Sequence, residues 1–148
     1  MFIYVDADAC PVIKQIETMG KKYHIPVILI SDTNHSLHSD YSKIITIGAG
    51  KDAVDFAIVS RCKRGDIVVT QDYGVAAMIL SKGAYGIHQS GRIYTDETID
   101  QMLMERHLAG KARRNSKRFH GKNLKKRTGE DDKRFIEKLE ALILKVAT

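Results

Sequence analysis

Short apolar runs and helical apolar stripes alternate along the first 90 residues of the chain. The runs predict strands at Phe2–Asp6, Ile25–Ile30, Lys43–Ile47, Ile67–Thr70, Tyr85–His88 and, more briefly, Arg92–Tyr94. Helical spacing predicts helices from Pro11 to near Gly20, from 48–52 to Arg64, and over Tyr73–Leu80, Thr95–His107 and Arg134–Val146. This order implies right-handed crossovers, and therefore a three-layer α/β/α fold with a mainly parallel central sheet.

Aspartates follow three of the predicted strands at their carboxyl ends. Asp6 and Asp8 follow the first strand, Asp52 and Asp55 open the helix after the third, and Asp72 comes two residues after the fourth. In a parallel sheet the functional crevice lies beyond these ends, so all five are expected at one edge. Asp52 and Asp55 would share a helix face, and Asp6 and Asp8 a strand face if the strand continued.

Clustered carboxylates repel one another unless a cation neutralises them. Oxygen ligands without a His or Cys partner favour Mg²⁺ or Mn²⁺, and such an ion can activate water against a phosphodiester. The pattern therefore indicates a metal site made of Asp6, Asp8, Asp52, Asp55 and Asp72.

Helix capping is the competing interpretation of several of these acids. Asp52 and Asp72 could each be an N-cap, and Asp8 could satisfy turn amides before Pro11. Capping does not explain Asp6, which closes an apolar strand, or Asp55, which lies inside a helix beside Ile58. The convergence of all five favours a site.

Charge is unevenly distributed along the chain. The net charge is +6, yet ten of the 24 Lys and Arg residues fall within 106–127, a stretch without Asp or Glu. The remainder carries 14 basic against 18 acidic residues. We therefore expect an α/β core at 1–105, a basic segment at 106–127 that is flexible or binds a polyanion, and an amphipathic helix at 128–148 that packs on the core.

Other candidate chemistry is weaker. Cys10 is predicted to be a small buried thiol rather than a nucleophile, and Cys62 a core residue; two cysteines make no disulfide framework. His35 and His38 lack the further ligands that a zinc site needs. The glycines before Lys51 do not make a Walker loop, although Lys51 could touch a phosphate. Without a basic leader or an apolar run of roughly 20 residues, a cytoplasmic protein without a membrane span is expected.

Three motifs carry a family resemblance over nearly the whole chain. They are Asp6-Ala-Asp-Ala-Cys-Pro-Val12, Gly50-Lys-Asp-Ala-Val-Asp55 and Gly65-Asp-Ile-Val-Val-Thr-Gln-Asp-Tyr-Gly74. Together they resemble the YaiI/YqxD family of uncharacterised bacterial proteins, as do the basic region and the terminal helix. That family in turn resembles PIN-like nucleases.

The PIN-like resemblance implies a reaction and its residues. It assigns Asp6, Asp55 (or Asp52) and Asp72 to the binding of Mg²⁺ or Mn²⁺ and to the positioning of the attacking water. Asp8 would supplement the first ligand, and Thr70 would hydrogen-bond a phosphate or a metal-ligating carboxylate. The glutamate that PIN domains carry between strands two and three has no counterpart here; only Asp32 and Asp40 fall in that interval.

The sequence thus favours a metal-dependent nuclease acting on RNA or single strands. Basic residues of the segment would hold the phosphates, namely Arg113, Arg114, Lys117 and Arg118, and Phe119 could stack on a base. Two alternatives stay open. One is a haloacid-dehalogenase-like phosphatase with Asp6 as nucleophile, which Val-Asp-Ala-Asp resembles; the other is a non-catalytic nucleic-acid binder.

Overall fold

The computed structural model describes residues 1–32, 37–48, 50–115 and 126–147. In chain order the elements are β1 (Ile3–Asp6), α1 (Ile13–Tyr23), β2 (Val27–Asp32), β3 (Lys43–Ile47), α2 (Lys51–Arg61), β4 (Ile67–Val69), α3 (Tyr73–Ser81), β5 (Tyr85–Ile87), β6 (Ile93–Tyr94), α4 (Asp96–Asn115) and α5 (Gly129–Ala147). The alternation predicted from the sequence is confirmed.

The described strands form one sheet in the order β3-β2-β1-β4-β5-β6. Strands β1 to β5 are parallel, and β6 runs antiparallel to β5. From β1 the chain adds β2 and β3 toward one edge of the sheet, and from β4 it adds β5 and β6 toward the other edge. The gap between their carboxyl ends is therefore a topological switch point, where open α/β sheets bind their ligands.

Alternating side chains of each strand bury two apolar layers, one on each face of the sheet. Ile3 and Val5 of β1 point toward α1 and α5, whereas Tyr4 between them points toward α2 and α3. On α5 the predicted apolar face is confirmed, since the buried residues are Phe135, Leu139, Leu142 and Ile143. A smaller cluster joins α3 and α4 around Tyr94. The protein is thus a three-layer α/β/α fold.

Helix ends differ from the prediction where turn chemistry was overlooked. Pro11 is not the first helical residue, because Ala9 turns the chain with a φ of 59° and Val12 is the N-cap of α1. Helix α5 begins five residues early. There Thr128 and Asp131 exchange side-chain bonds to each other's backbone amides, at 2.8 and 3.4 Å, in a capping box.

The basic segment is helical over its first half. Helix α4 continues through Arg113 and Arg114, well beyond the predicted end at His107. Its start is as predicted, because Thr95 and Thr98 cap each other's amides at 3.1 and 2.7 Å. Lys117, Arg118 and Phe119 lie outside the described residues. Among the helices described here, none is long and apolar enough to cross a membrane.

Candidate active site at the switch point

Asp6 is the centre of the site. It ends β1 between β2 and β4, and its side chain is 5% exposed. Its Oδ2 accepts hydrogen bonds from Lys51 Nζ and from Thr70 Oγ1, the latter at 3.3 Å. Its Oδ1 is buried and has no hydrogen-bond partner among the described residues. A buried acceptor of this kind is costly, which indicates a place for a further ligand.

Lys51 brings a second carboxylate to Asp6. It is the first residue of α2, which Gly50 precedes with a φ of 86° as N-cap. The Nζ atom that bonds Asp6 lies 3.3 Å from Asp55 Oδ1, one helical turn further on. One ammonium therefore sits between the two carboxylates, in the place where the sequence predicted a metal ion.

The charges of this group are strongly coupled. Burial raises the pKa of Asp55; the charge and hydrogen bond of Lys51 lower it, and the charges of Asp72 and Asp6 raise it, with a net rise. Burial alone would lower the pKa of Lys51, but Asp6 and Asp55 together raise it. Perturbed carboxylates of this kind are typical of functional clefts.

Thr70 links Asp6 to Asp72. Its hydroxyl, 2% exposed as a residue, donates to Asp6 and accepts from the Asp72 amide at 3.0 Å. Asp72 Oδ1 accepts from Val75 N at 3.1 Å, so Asp72 caps the following helix, as the competing interpretation of this acid had it. The cap holds Asp72 at the pocket wall, where its charge contributes to the raised pKa of Asp55.

Tyr94 supports this arrangement from the edge strand β6. Its buried hydroxyl donates to the Thr70 carbonyl oxygen at 2.9 Å. Burial, with smaller contributions from Tyr73 and Asp72, raises the pKa of Tyr94, so the hydroxyl stays protonated and keeps donating.

Removal of this hydroxyl tests the support. We expect Tyr94→Phe to cost about 1 kcal/mol of unfolding free energy, because the buried Thr70 carbonyl loses its side-chain donor. Urea unfolding measures the loss. Tyr73→Phe, on the partner ring in edge contact with Tyr94, is the control and should stay near the wild type. Equal stability of Tyr94→Phe and wild type would contradict the assigned role.

The remaining two aspartates are placed differently. Strand β1 ends at Asp6, so the strand face expected to join Asp6 and Asp8 is absent; Asp8 lies in the following turn and accepts from the Asp32 amide of β2 at 3.3 and 3.4 Å. Asp52 is exposed in the first turn of α2, and Gly50 holds the N-cap position. The alternative interpretation of Asp52 as an N-cap is therefore wrong.

The site opens into a cavity of about 430 Å³. Asp6, Asp8, Lys51 and Asp72 line it, together with Ala9, Gln71, Tyr73, Gly74, Leu103 and Arg106. The guanidinium of Arg106 lies 5.9 Å from the Tyr73 ring centroid. Sequence reasoning missed Arg106 as a site residue. The signal was available, since Arg106 opens the basic segment, but only the path of α4 brings it to the pocket.

Comparison with known proteins identifies a family whose model spans all the elements of this site. The model of the family described as "Uncharacterized BCR, YaiI/YqxD family" matches residues 4–145, a range that includes Asp6, Lys51, Asp55 and Asp72. The chain belongs to the YaiI/YqxD family. Membership confirms the resemblance inferred from the three motifs.

Relatives within the YaiI/YqxD family match end to end. A UPF0178 protein of Clostridium acetobutylicum is 60% identical over 145 residues, which cover 98% of each chain. A UPF0178 protein of Lachnoclostridium phytofermentans is 52% identical, and the match covers 100% of both chains. A UPF0178 protein of Alkaliphilus oremlandii is 48% identical, and the match covers 99% of this chain and 96% of the relative. No solved structure matches the chain significantly.

Several other predicted residues that the structure describes do not line this pocket of the YaiI/YqxD chain. Arg113 and Arg114 lie in the last turn of α4. His38 is exposed, and His35 lies outside the described residues. Cys10 is half-buried, and burial raises the pKa of its thiol to about 11, which keeps it protonated and poorly nucleophilic. Cys62 is buried in the core as predicted.

Proposed function

We propose that this protein is a divalent-metal-dependent nuclease that acts on RNA or another single-stranded nucleic acid. The observation that carries the proposal is the Asp6 carboxylate at the switch point. It is almost fully buried, shares one cation with Asp55, and keeps one oxygen without a partner among the described residues. A buried acid pair of this kind at the ligand-binding edge of an α/β sheet favours catalysis over packing.

The residues present fit a hard cation such as Mg²⁺ or Mn²⁺. In the part of the chain that the structure describes, no three His, Cys, Asp or Glu side chains stand close enough to share one ion. Mg²⁺ does not require three, because it keeps several waters and binds through one or two carboxylates plus substrate phosphates. Asp6 and Asp55 would supply these carboxylates. The ion would lower the pKa of a bound water and offset the charge on the phosphate.

The side chains around Asp6 have separate roles in this proposal. Thr70 fixes the Asp6 carboxylate by its hydrogen bond, and Asp72 adds negative charge from the cap of α3. The Lys51 side chain is half exposed at the pocket wall. Its ammonium can turn from Asp6 to a phosphate oxygen of the substrate, as a lysine point charge does in other phosphate sites.

Basic side chains extend from the pocket along α4. Arg106 lines the cavity, and Arg113 lies seven residues further on, two helical turns along the same face. Arg114 is its neighbour. Arginines so arranged suit the backbone of a polyanion, and binding through them should weaken steeply with salt. This supports a nucleic acid as the substrate over a small phosphate ester.

Arg106 tests the substrate side of the proposal. We expect Arg106→Ala to raise KM for a single-stranded oligonucleotide about 10-fold with little change in kcat. The reason is that the lost contact binds the substrate equally in the ground state and in the transition state. The salt slope of binding should fall by about 1. Lys133→Ala, a charge removal at the start of α5 outside the pocket lining, is the matched control. Equal KM values in the two variants would mean that Arg106 does not contact the substrate.

The proposal as a whole is tested by incubating the purified chain with single-stranded RNA, single-stranded DNA and duplexes, each with Mg²⁺, with Mn²⁺ and with EDTA. Metal-dependent cleavage of a single strand is the expected result. Binding without cleavage of any form would refute the nuclease and favour a non-catalytic binder. A phosphoaspartate trapped at Asp6 with a phosphate ester would instead favour a phosphatase.

A further inference from the structure

A second cavity lies directly beside the acidic pocket. It has a volume of about 440 Å³ and opens between α2 and α3. Its apolar walls are Phe56, Val59, Val75 and Met78, and its lining also includes Asp52, Asp55 and Asp72. Asp72 and Gly74 line both cavities, so the two adjoin there. We refer to this second cavity as the apolar groove.

The walls of the apolar groove are unusually exposed. Phe56 is 74% exposed and Met78 58%, although both are large apolar residues on helices whose other faces are buried. One wall therefore offers an aromatic ring and the other an adaptable thioether, which together suit a flat apolar ligand. The cavity volume falls within the range of small-molecule sites.

Asp52 gives the apolar groove a polar end with only acceptors. It precedes Phe56 by four residues on α2, so the two side chains share a face. Asp52 is exposed and makes no hydrogen bond or ion pair with any residue that the structure describes. Its carboxylate, in the first turn of α2, is therefore available to accept two hydrogen bonds from one ligand edge.

A second copy of the chain is a poor occupant for this groove. A two-fold contact would place the same patch against itself, and so would bring the three carboxylates of one copy against those of the other. The favoured occupant is flat, apolar on its faces, rich in donors at its edge, and connected to whatever the acidic pocket holds. An unpaired nucleobase has all four properties.

We propose that the apolar groove binds an unpaired guanine, stacked on Phe56 and hydrogen-bonded to Asp52, next to the phosphate held in the acidic pocket. Guanine is the base whose Watson–Crick edge carries two adjacent donors, N1–H and the N2 amine, which match a carboxylate. Cytosine, adenine and uracil each place an acceptor next to their donor. Asp52, expected from the sequence to be a metal ligand, thereby becomes a residue that reads the base.

This inference rests on the proposed function for its substrate class, but its test scores binding and not cleavage. The probes are fluorescein-labelled hexauridylates with a single guanosine at each position in turn, or inosine there, which lacks the N2 amine. Fluorescence anisotropy in metal-free buffer with EDTA gives Kd. We expect guanosine at one position to lower Kd about 10-fold relative to uridine, and inosine to lose most of that gain.

Two variants should remove this preference. Phe56→Ala loses the stacking surface, and Asp52→Asn replaces one acceptor by a donor that opposes the guanine edge. Leu144→Ala, an exposed apolar residue on α5, and Asp40→Asn, an exposed acid outside the groove lining, are the matched controls and should keep it.

Other outcomes overturn the inference. Equal Kd values for guanosine and uridine at every position, or no binding of any hexamer, would exclude a base site in the groove. A guanosine preference that survives in both variants would place the base elsewhere. A wild type that is dimeric by light scattering, a monomeric Phe56→Ala and no base preference would assign the groove to a second copy. Cleavage without a guanosine preference would refute the base site and leave the proposed nuclease function standing. A guanosine preference without cleavage would refute the nuclease function and leave the base site standing.

Discussion

Asp6→Asn is expected to lower metal-dependent cleavage by at least about 10³-fold while the protein stays folded. The substitution keeps the size and the acceptor of the side chain, so Thr70 can still donate to it. It removes the negative charge that would hold the ion, at the most buried carboxylate of the pocket. Single-turnover cleavage of a labelled oligonucleotide with Mn²⁺ measures the effect.

The Tm of Asp6→Asn shows whether a loss of activity comes from the lost charge or from a damaged fold. The ion pair between Asp6 and Lys51 ends on an ammonium that is half exposed, so its loss should cost about 1 kcal/mol or less, which is about 2–4 °C in Tm. A larger fall in Tm would make inactivity of the variant uninformative.

Asp66→Asn is a matched control for a buried aspartate. Asp66 is 4% exposed at the opposite end of the sheet, where it accepts from the amides of Phe2 at 3.0 Å and Lys63 at 2.9 Å. Its loss should lower Tm but leave cleavage per folded molecule unchanged. If Asp6→Asn and Asp66→Asn lost activity equally, the pocket would not be the site of catalysis.

The sequence predicted the fold better than it predicted the site. Buried strands ending in acid and helices with regular apolar stripes are local patterns, and each specified its own element. The β3 strand, for example, is found at the predicted Lys43–Ile47. The predicted helix ends were wrong where local turn geometry decides them, as at Ala9 before α1, or where a side-chain bond does, as between Thr128 and Asp131.

At the site, spacing could not decide between neighbouring aspartates. Asp52 and Asp55 are three residues apart, and their spacing alone made them equivalent on one face of α2. The packed face of α2 and the contact with Lys51 turn Asp55 toward Asp6, while Asp52 faces the solvent. That choice depends on how the helix lies on the sheet, which no local pattern contains. Arg106 was missed for the same reason, since its position depends on α4.

Lys51 was predicted as a phosphate contact, and that role stays a prediction; its bond to Asp6 was not foreseen. Its Nζ meets Asp6 and lies 3.3 Å from Asp55, at the position that a divalent ion would take. Two cations cannot occupy one pair of carboxylates without mutual repulsion. If the pocket holds the proposed ion, Lys51 would therefore stabilise its metal-free state and compete with the ion for the same two carboxylates.

Lys51→Met should separate the two roles of this lysine. Methionine keeps the length of the side chain without its charge, so Mn²⁺ should bind the variant about 10-fold more tightly than the wild type because the competing ammonium is gone. Cleavage should nevertheless fall about 100-fold, because the phosphate loses its positive partner in the transition state. Isothermal titration with Mn²⁺ and single-turnover kinetics at saturating Mn²⁺ give the two values.

The opposite signs of these two effects make the test specific. Lys21→Met removes a lysine paired with exposed Asp40 at 3.9 Å, away from the pocket, and should change neither value. Weaker Mn²⁺ binding in Lys51→Met would mean that the lysine organises the carboxylates for the ion and does not compete with it. Tighter binding with unchanged cleavage would remove Lys51 from the substrate path, and the positive charge at the phosphate would then have to come from Arg106.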